Sequence, residues 1–304
     1  MNKLKLTCVA VSLGLAATAA NADMISEFSY LNDAGFADYA PSATVTGTGD
    51  TNDLFDDSFN GAAAFFGAPA DGVFEKSLAW GNPNNAQNAQ SSLVVDDEAT
   101  GVITTSTDEE ALIWADGVGL THNNFTVTGG GYLDTALLVD GLFLDTSVPA
   151  TMPWDIAAPV LPFAVVFDET PNSGGVGGVC PYGGVSGDAD NVGGCRDGFA
   201  VVIPDDAAIT EAIDGDLVFA TSLGVIGGDY EYTIFTRLSG IDIVPLAGDC
   251  DGLAVSCYGF LTVEGAINSL DAEFAILARA PEPGTLAVLG LGLLGLAGVR
   301  RRQA

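Results

Sequence analysis

Tyr230-Glu231-Tyr232-Thr233-Ile234-Phe235-Thr236-Arg237 is a run of aromatic and β-branched residues, with Gly227-Gly228 before it and Gly240 after it. Such residues fit a pleated, half-buried surface better than a helix, and glycine supplies the turns between such segments. Comparable β-rich runs recur at residues 27–31, 43–46, 92–95, 102–105, 125–128, 136–144, 160–167, 199–203, 217–221, 258–263 and 272–278, separated by Gly, Asp, Asn and Pro. With 39 glycines and few long helical periods, the pattern predicts an all-β fold: a single large antiparallel β-sandwich or jelly-roll-like domain over residues 23–279. One exception is expected at residues 205–213. There Pro204 near a first turn and acidic residues placed well for a helix dipole predict a short helix.

The two ends of the chain are of a different kind. Lys3 and Lys5, an apolar stretch over residues 6–17 and the A-x-A sequence Ala20-Asn21-Ala22 predict a secretory signal peptide over residues 1–22, cleaved after Ala22. The Sec-type export machinery and signal peptidase are therefore expected partners. At the other end, Ala280-Pro281-Glu282-Pro283-Gly284-Thr285 precedes an uncharged apolar run over residues 286–299 and then Arg300-Arg301-Arg302. Two prolines in three positions forbid a helix interior and keep that segment extended. As a helix the segment from Gly284 would span roughly 24 Å, slightly short for a bilayer core. The three arginines hold its end in the cytoplasm. Residues 280–304 are thus expected to contain a single transmembrane helix. Gly290-Leu291-Gly292-Leu293-Leu294-Gly295 satisfies G-x-G-x-x-G, but no strand precedes it and no βαβ unit surrounds it, so it is no dinucleotide fingerprint.

These 25 residues resemble a PEP-CTERM sorting signal, which joins a Pro-Glu-Pro motif, a short transmembrane helix and a terminal basic cluster. The resemblance implies recognition by an exosortase, a membrane protease/transpeptidase. Pro281, Glu282, Pro283, Gly284, Arg300, Arg301 and Arg302 are then the sorting and processing residues. It further implies an inner-membrane-anchored precursor, released to the cell surface or the exopolysaccharide matrix of a Gram-negative bacterium. A second resemblance rests on Trp80-Gly81, Gln90-Ser91-Ser92-Leu93 and Leu120-Thr121-His122-Asn123-Asn124-Phe125. Together they are similar to the THxN group of PEP-CTERM proteins, whose body has no assigned activity. On its own chemistry Thr121-His122-Asn123-Asn124 predicts a turn, since Asn tolerates left-handed backbone and bonds locally, with Phe125 opening the next strand.

Charge narrows the possible partners. The chain has 9 Lys+Arg against 40 Asp+Glu, and five of the nine lie in the two terminal segments. Only Lys76, Arg196, Arg237 and Arg279 remain in the body, so nucleic acid is excluded as a partner. Divalent cations and cationic matrix components are favoured instead. Once Cys8 leaves with the signal peptide, Cys180, Cys195, Cys250 and Cys257 remain, an even number in an exported chain, which favours disulfides over metal thiolates. Three pairings are open, of which Cys180 to Cys195 and Cys250 to Cys257 is the simplest.

Catalytic motifs are scarce. With one histidine a Ser-His-Asp triad would need His122, yet no G-x-S-x-G elbow exists, and no Walker loop, zincin helix or EF-hand pattern occurs. Forty acids offer many carboxylate pairs for glycoside hydrolysis without singling one out. No cofactor is called for by a motif: a zinc site lacks a C-x-x-C pair or second ligand cluster beside the thiols, and calcium has only partial candidate loops at Asp188-Ala189-Asp190-Asn191 and Asp249-Cys250-Asp251-Gly252, and further ones at residues 50–57 and 214–216. Two functional readings follow: a non-enzymatic surface or matrix protein, and, as the alternative, an exported hydrolase acting on matrix polysaccharide.

Overall fold

The computed structural model describes residues 23–49, 74–151, 155–157, 161–170, 172, 176–202, 208–213, 216–227, 230–240, 242–245 and 257–280. Both terminal segments, and with them Ala20, Ala22, Pro281 to Gly284 and the arginine cluster, lie outside these residues, as do Asp249, Cys250 and Asp251. Among the described residues β-strands dominate, and no helix is long and apolar enough to cross a membrane.

Six strands form one layer, each antiparallel to the next: Asp242–Pro245, Cys257–Thr262, Asp197–Val202, Leu161–Asp168, Thr135–Asp145 and Glu27–Ala40. Eight form the other: Ala208–Ile213, Asp216–Ile226, Tyr230–Ser239, Ala266–Arg279, Leu120–Asn124, Ser91–Val95, Glu75–Trp80 and Thr46–Gly49. The layers are continuous. Glu27–Ala40 touches Glu75–Trp80 at Phe36 and Glu75, and it also runs along Ala99–Ser106. Ala99–Ser106 in turn meets the last strand in a parallel pairing of Thr105 with Ile276. The result is a large mixed sheet folded over itself as a sandwich, and the expected all-β architecture holds.

Between the layers Phe36, Phe167, Phe199 and Phe260 from the first meet Leu78, Trp80, Leu93 and Phe219 from the second in one buried cluster. Burying each such side chain is worth roughly 1.5–3 kcal/mol, which offsets the entropy of ordering the strands. A second cluster is built on Phe28, Ile103, Tyr232 and Ile276. There the Phe28 and Tyr232 rings pack edge to face at 5.6 Å. Glu27–Ala40 is long enough to serve both clusters, with Phe28 in one and Phe36 in the other.

Two local expectations fail. Residues 208–213 are a strand, paired from Ala208 with Ala220 to Ile213 with Asp216. Ile209, Thr210 and Ile213 suit a strand, and the available partner outweighs the helix-start signals before it. Thr121-His122-Asn123-Asn124 is no turn either. It belongs to Leu120–Asn124, which pairs on both edges and buries Leu120, His122 and Asn124 on one face. Here cross-strand partners satisfy side chains that would otherwise bond locally and turn the chain.

Candidate functional site

Three neighbouring strands of the first layer end together. Asp168 pairs with Gly198, and Asp197 pairs with Thr262. This register brings Glu169, one residue past its strand, beside Asp197, the first residue of the next, and Glu264, two residues past the third. Their carboxylate oxygens lie within 4.8 Å of one another. Asp197 is fully buried and Glu264 nearly so, while Glu169 is half-buried.

Among the described residues, donors to this cluster are few. The Thr170 backbone N–H donates to Asp197 Oδ1 at 2.7 Å, Trp80 Nε1 to Glu169 Oε2 at 3.2 Å, and the Thr126 hydroxyl to Glu264 Oε1 at 2.8 Å. Turned with its nitrogen inward, the Asn172 amide donates to both Glu264 oxygens at 2.9 and 3.0 Å. Turned the other way, it adds a further oxygen. Asp197 Oδ2 and Glu169 Oε1 are buried with no hydrogen-bond donor among the described residues. Burial, reinforced by the Glu264 and Asp168 charges, pushes the Glu169 carboxyl up to about 7. Burial alone lifts Glu264 to about 7 against the bond from Thr126. Burial and the neighbouring Glu169 raise Asp197 well above the usual carboxylate range. Such a group can hold protons or share a cation, because three uncompensated charges in this volume would repel strongly.

A layer of polar side chains lies directly beneath. His122 is fully buried, with its ring 5.6 Å from Trp80 in a stacked arrangement and edge to face with Phe167 at 5.3 Å. Its Nδ1 is 2.9 Å from Thr262 Oγ1 and its Nε2 is 3.2 Å from Ser91 Oγ. The Thr262 hydroxyl donates to the Asp197 carbonyl at 3.3 Å. The Ser91 hydroxyl likewise has a carbonyl to donate to, that of Asn123 at 3.1 Å, so the ring nitrogen that carries the proton is the one whose hydroxyl partner keeps its carbonyl bond. Burial lowers the His122 pKa to about 3, so the ring is neutral. A Ser-His pair is thus present, but the far nitrogen faces a hydroxyl where a triad needs a carboxylate, and Ser91 is fully buried. The residues quoted for the THxN resemblance therefore converge in space: Trp80, Ser91 and His122 form one network.

Above the carboxylates, the loop running from Asn172 to Arg196 is closed by a disulfide between Cys180 and Cys195. The Thr170 hydroxyl donates to the Cys195 carbonyl at 3.1 Å. The side chain of Cys257 and all of Cys250 lie outside the described residues. Gly193 presses against Glu264, where a Cβ would collide with the Glu264 carbonyl. Within the loop, Asp188 accepts from the backbone of Val185, Asp190 and Asn191 and from the Asn191 side chain. These bonds hold its carboxyl below the usual range. Its oxygens close their own turn, and Asp190 is exposed beside it.

None of Glu169, Asp197 and Glu264 was singled out by the sequence motifs. Each sits at the end of a predicted run, at 160–167, 199–203 or 258–263, and only the pairing of those runs joins them. By contrast, the tail is readable without any fold. Residues 279–302 match the PEP-CTERM protein-sorting motif. No curated protein matches the chain.

Proposed function

We propose, from the premise that residues 279–302 are a PEP-CTERM sorting motif, that the chain is a non-enzymatic protein of the cell surface or exopolysaccharide matrix. In this reading it is exported through its signal peptide, held briefly in the inner membrane and released by an exosortase of a Gram-negative cell. The observation that carries it is the position of the motif. It begins at Arg279, the last residue of the Ala266–Arg279 strand, so the sorting signal follows the folded body directly. A stable, acidic, disulfide-closed sandwich suits a hydrated matrix, because charge repulsion keeps it dispersed.

The hydrolase reading has one point in its favour, the clustered carboxylates at Glu169, Asp197 and Glu264. Two of the three are buried, and Trp80, which donates to Glu169, is fully buried. Glycoside hydrolysis needs its two carboxyls on either side of a sugar bond with room for the ring between them. The non-enzymatic reading is therefore the better one. Comparing the matrix fraction of the wild-type strain with that of a deletion strain tests it. The protein should be found in that fraction, and its loss should change matrix retention or composition without changing polysaccharide chain length. Shortening of polysaccharide by the purified protein would favour the hydrolase instead.

A further inference from the structure

Asp197 is fully buried, and its Oδ2 has no hydrogen-bond donor among the described residues, although Glu169 and Glu264 stand within 4.8 Å. Glu169 Oε1 is likewise buried without a donor. Buried charges are ordinarily paired or bound to a metal, since leaving one uncompensated is costly. We propose that Glu169, Asp197 and Glu264 form a calcium site that clamps the disulfide-closed loop to the ends of three strands.

The donor chemistry selects the ion. All three groups are carboxylates, with no thiol or imidazole among them, which suits a hard cation. Oxygens on opposite sides of calcium stand about 4.6–5.2 Å apart, against about 4.2 Å for magnesium. Oxygens that all lie within 4.8 Å of one another can be bridged by a single calcium ion. Magnesium also keeps several waters, which a site this covered does not favour. Calcium takes more than three oxygens, and the Asn172 amide and Thr126 hydroxyl, both against the Glu264 head, are neutral oxygens within the same cluster.

The site lies where a clamp has work to do. Glu169 and Asp197 bracket the loop carrying the Cys180–Cys195 bridge, and Glu264 belongs to a different connection held against Gly193. A cation shared by the three ties the loop to the sheet from both of its ends. This inference does not depend on whether the body is enzymatic. It also moves the calcium expectation away from Asp188, whose oxygens are already filled by donors of their own turn.

The test uses the full chain in detergent, stripped with a chelator, with thermal melting followed in calcium, magnesium and sodium chloride at matched ionic strength. Calcium should raise Tm by several degrees beyond magnesium, and calorimetric titration should give one dominant calcium site. The double variant Asp197→Asn/Glu264→Gln should bind calcium at least tenfold more weakly. Without calcium it should melt no lower than wild type, because neutral amides no longer repel, which separates a lost site from a lost fold. Asp188→Asn/Asp190→Asn should retain the calcium response. Terbium in place of calcium should luminesce on tryptophan excitation, and Trp80→Phe should sharply reduce that signal while calcium still raises Tm. Equal melting in all three salts would overturn the proposal. So would a calcium response that survives in Asp197→Asn/Glu264→Gln or disappears in Asp188→Asn/Asp190→Asn.

Discussion

His122 is the chain's one histidine, and it is held between Trp80 and Phe167 with a hydroxyl on each ring nitrogen. His122→Ala removes a fully buried ring packed between Trp80 and Phe167, while Ser91 and Thr262 keep their backbone carbonyl partners, at a cost of about 3–5 kcal/mol in chemical denaturation. Its pKa of about 3 also has a sign. Between about pH 6.5 and about pH 3 the unfolded chain binds a proton that the folded ring refuses, so this residue's contribution to stability falls as pH falls. Asp140 works in the opposite direction. Burial pushes its carboxyl up to about 7, against an Asn32 amide donating at 2.5 Å and the Lys76 charge. From about pH 4 to about pH 7 the folded protein keeps a proton the unfolded chain has lost, so Asp140 loses stability for the fold as pH rises. Melts from pH 4 to 8 should therefore show the wild type minus Asp140→Asn difference growing more unfavourable to the wild type toward pH 7. A difference that is flat with pH would show that Asp140 titrates normally.

At the scale of elements, the strands of aromatic and β-branched composition were legible, and the strands of polar or small residues were not. Tyr230–Ser239 and Thr135–Asp145 announce themselves by their own residues. Glu75–Trp80, Thr46–Gly49 and Leu120–Asn124 do not, because their polarity is satisfied across the sheet by partners that no local window contains. The carboxylate cluster was hidden for the same reason. Its members are 28 and 67 residues apart in sequence, and register alone brings them together. The Cys180–Cys195 bridge was legible in part: cysteine count and export signals together predict disulfides, and of the three open pairings the simplest contains the bridge observed. Closing that loop is worth about 3 kcal/mol by chain entropy, so Cys180→Ala/Cys195→Ala should lower stability by about 2–4 kcal/mol. Alkylation of the unreduced native protein should add no label at all. Labelling of two or more thiols would contradict the expectation that all four mature cysteines are paired.

For the whole molecule, the decisive relation is between body and tail. The last strand is hydrogen-bonded through Arg279, opposite Glu231, and the sorting motif starts at that same residue. Six residues separate Arg279 from the apolar run at Leu286, and even fully extended they reach only about 20 Å. In the proposed reading a processing enzyme acts close beneath the folded body, at the outer face of the membrane that holds the tail. The apolar run, short and glycine-rich with no aromatic belt, is better suited to transient than to permanent anchoring. Neutral replacements of Arg300, Arg301 and Arg302 should misorient the tail, so that precursor accumulates or is lost. Substitution of Glu282 or Pro283 should leave insertion intact and block release. Intact mass spectrometry of the cell-surface fraction tests the sorting account most directly: it predicts a species that begins at Asp23 and ends within or just after Pro281-Glu282-Pro283-Gly284, whereas a species running from Asp23 through Ala304 would contradict it.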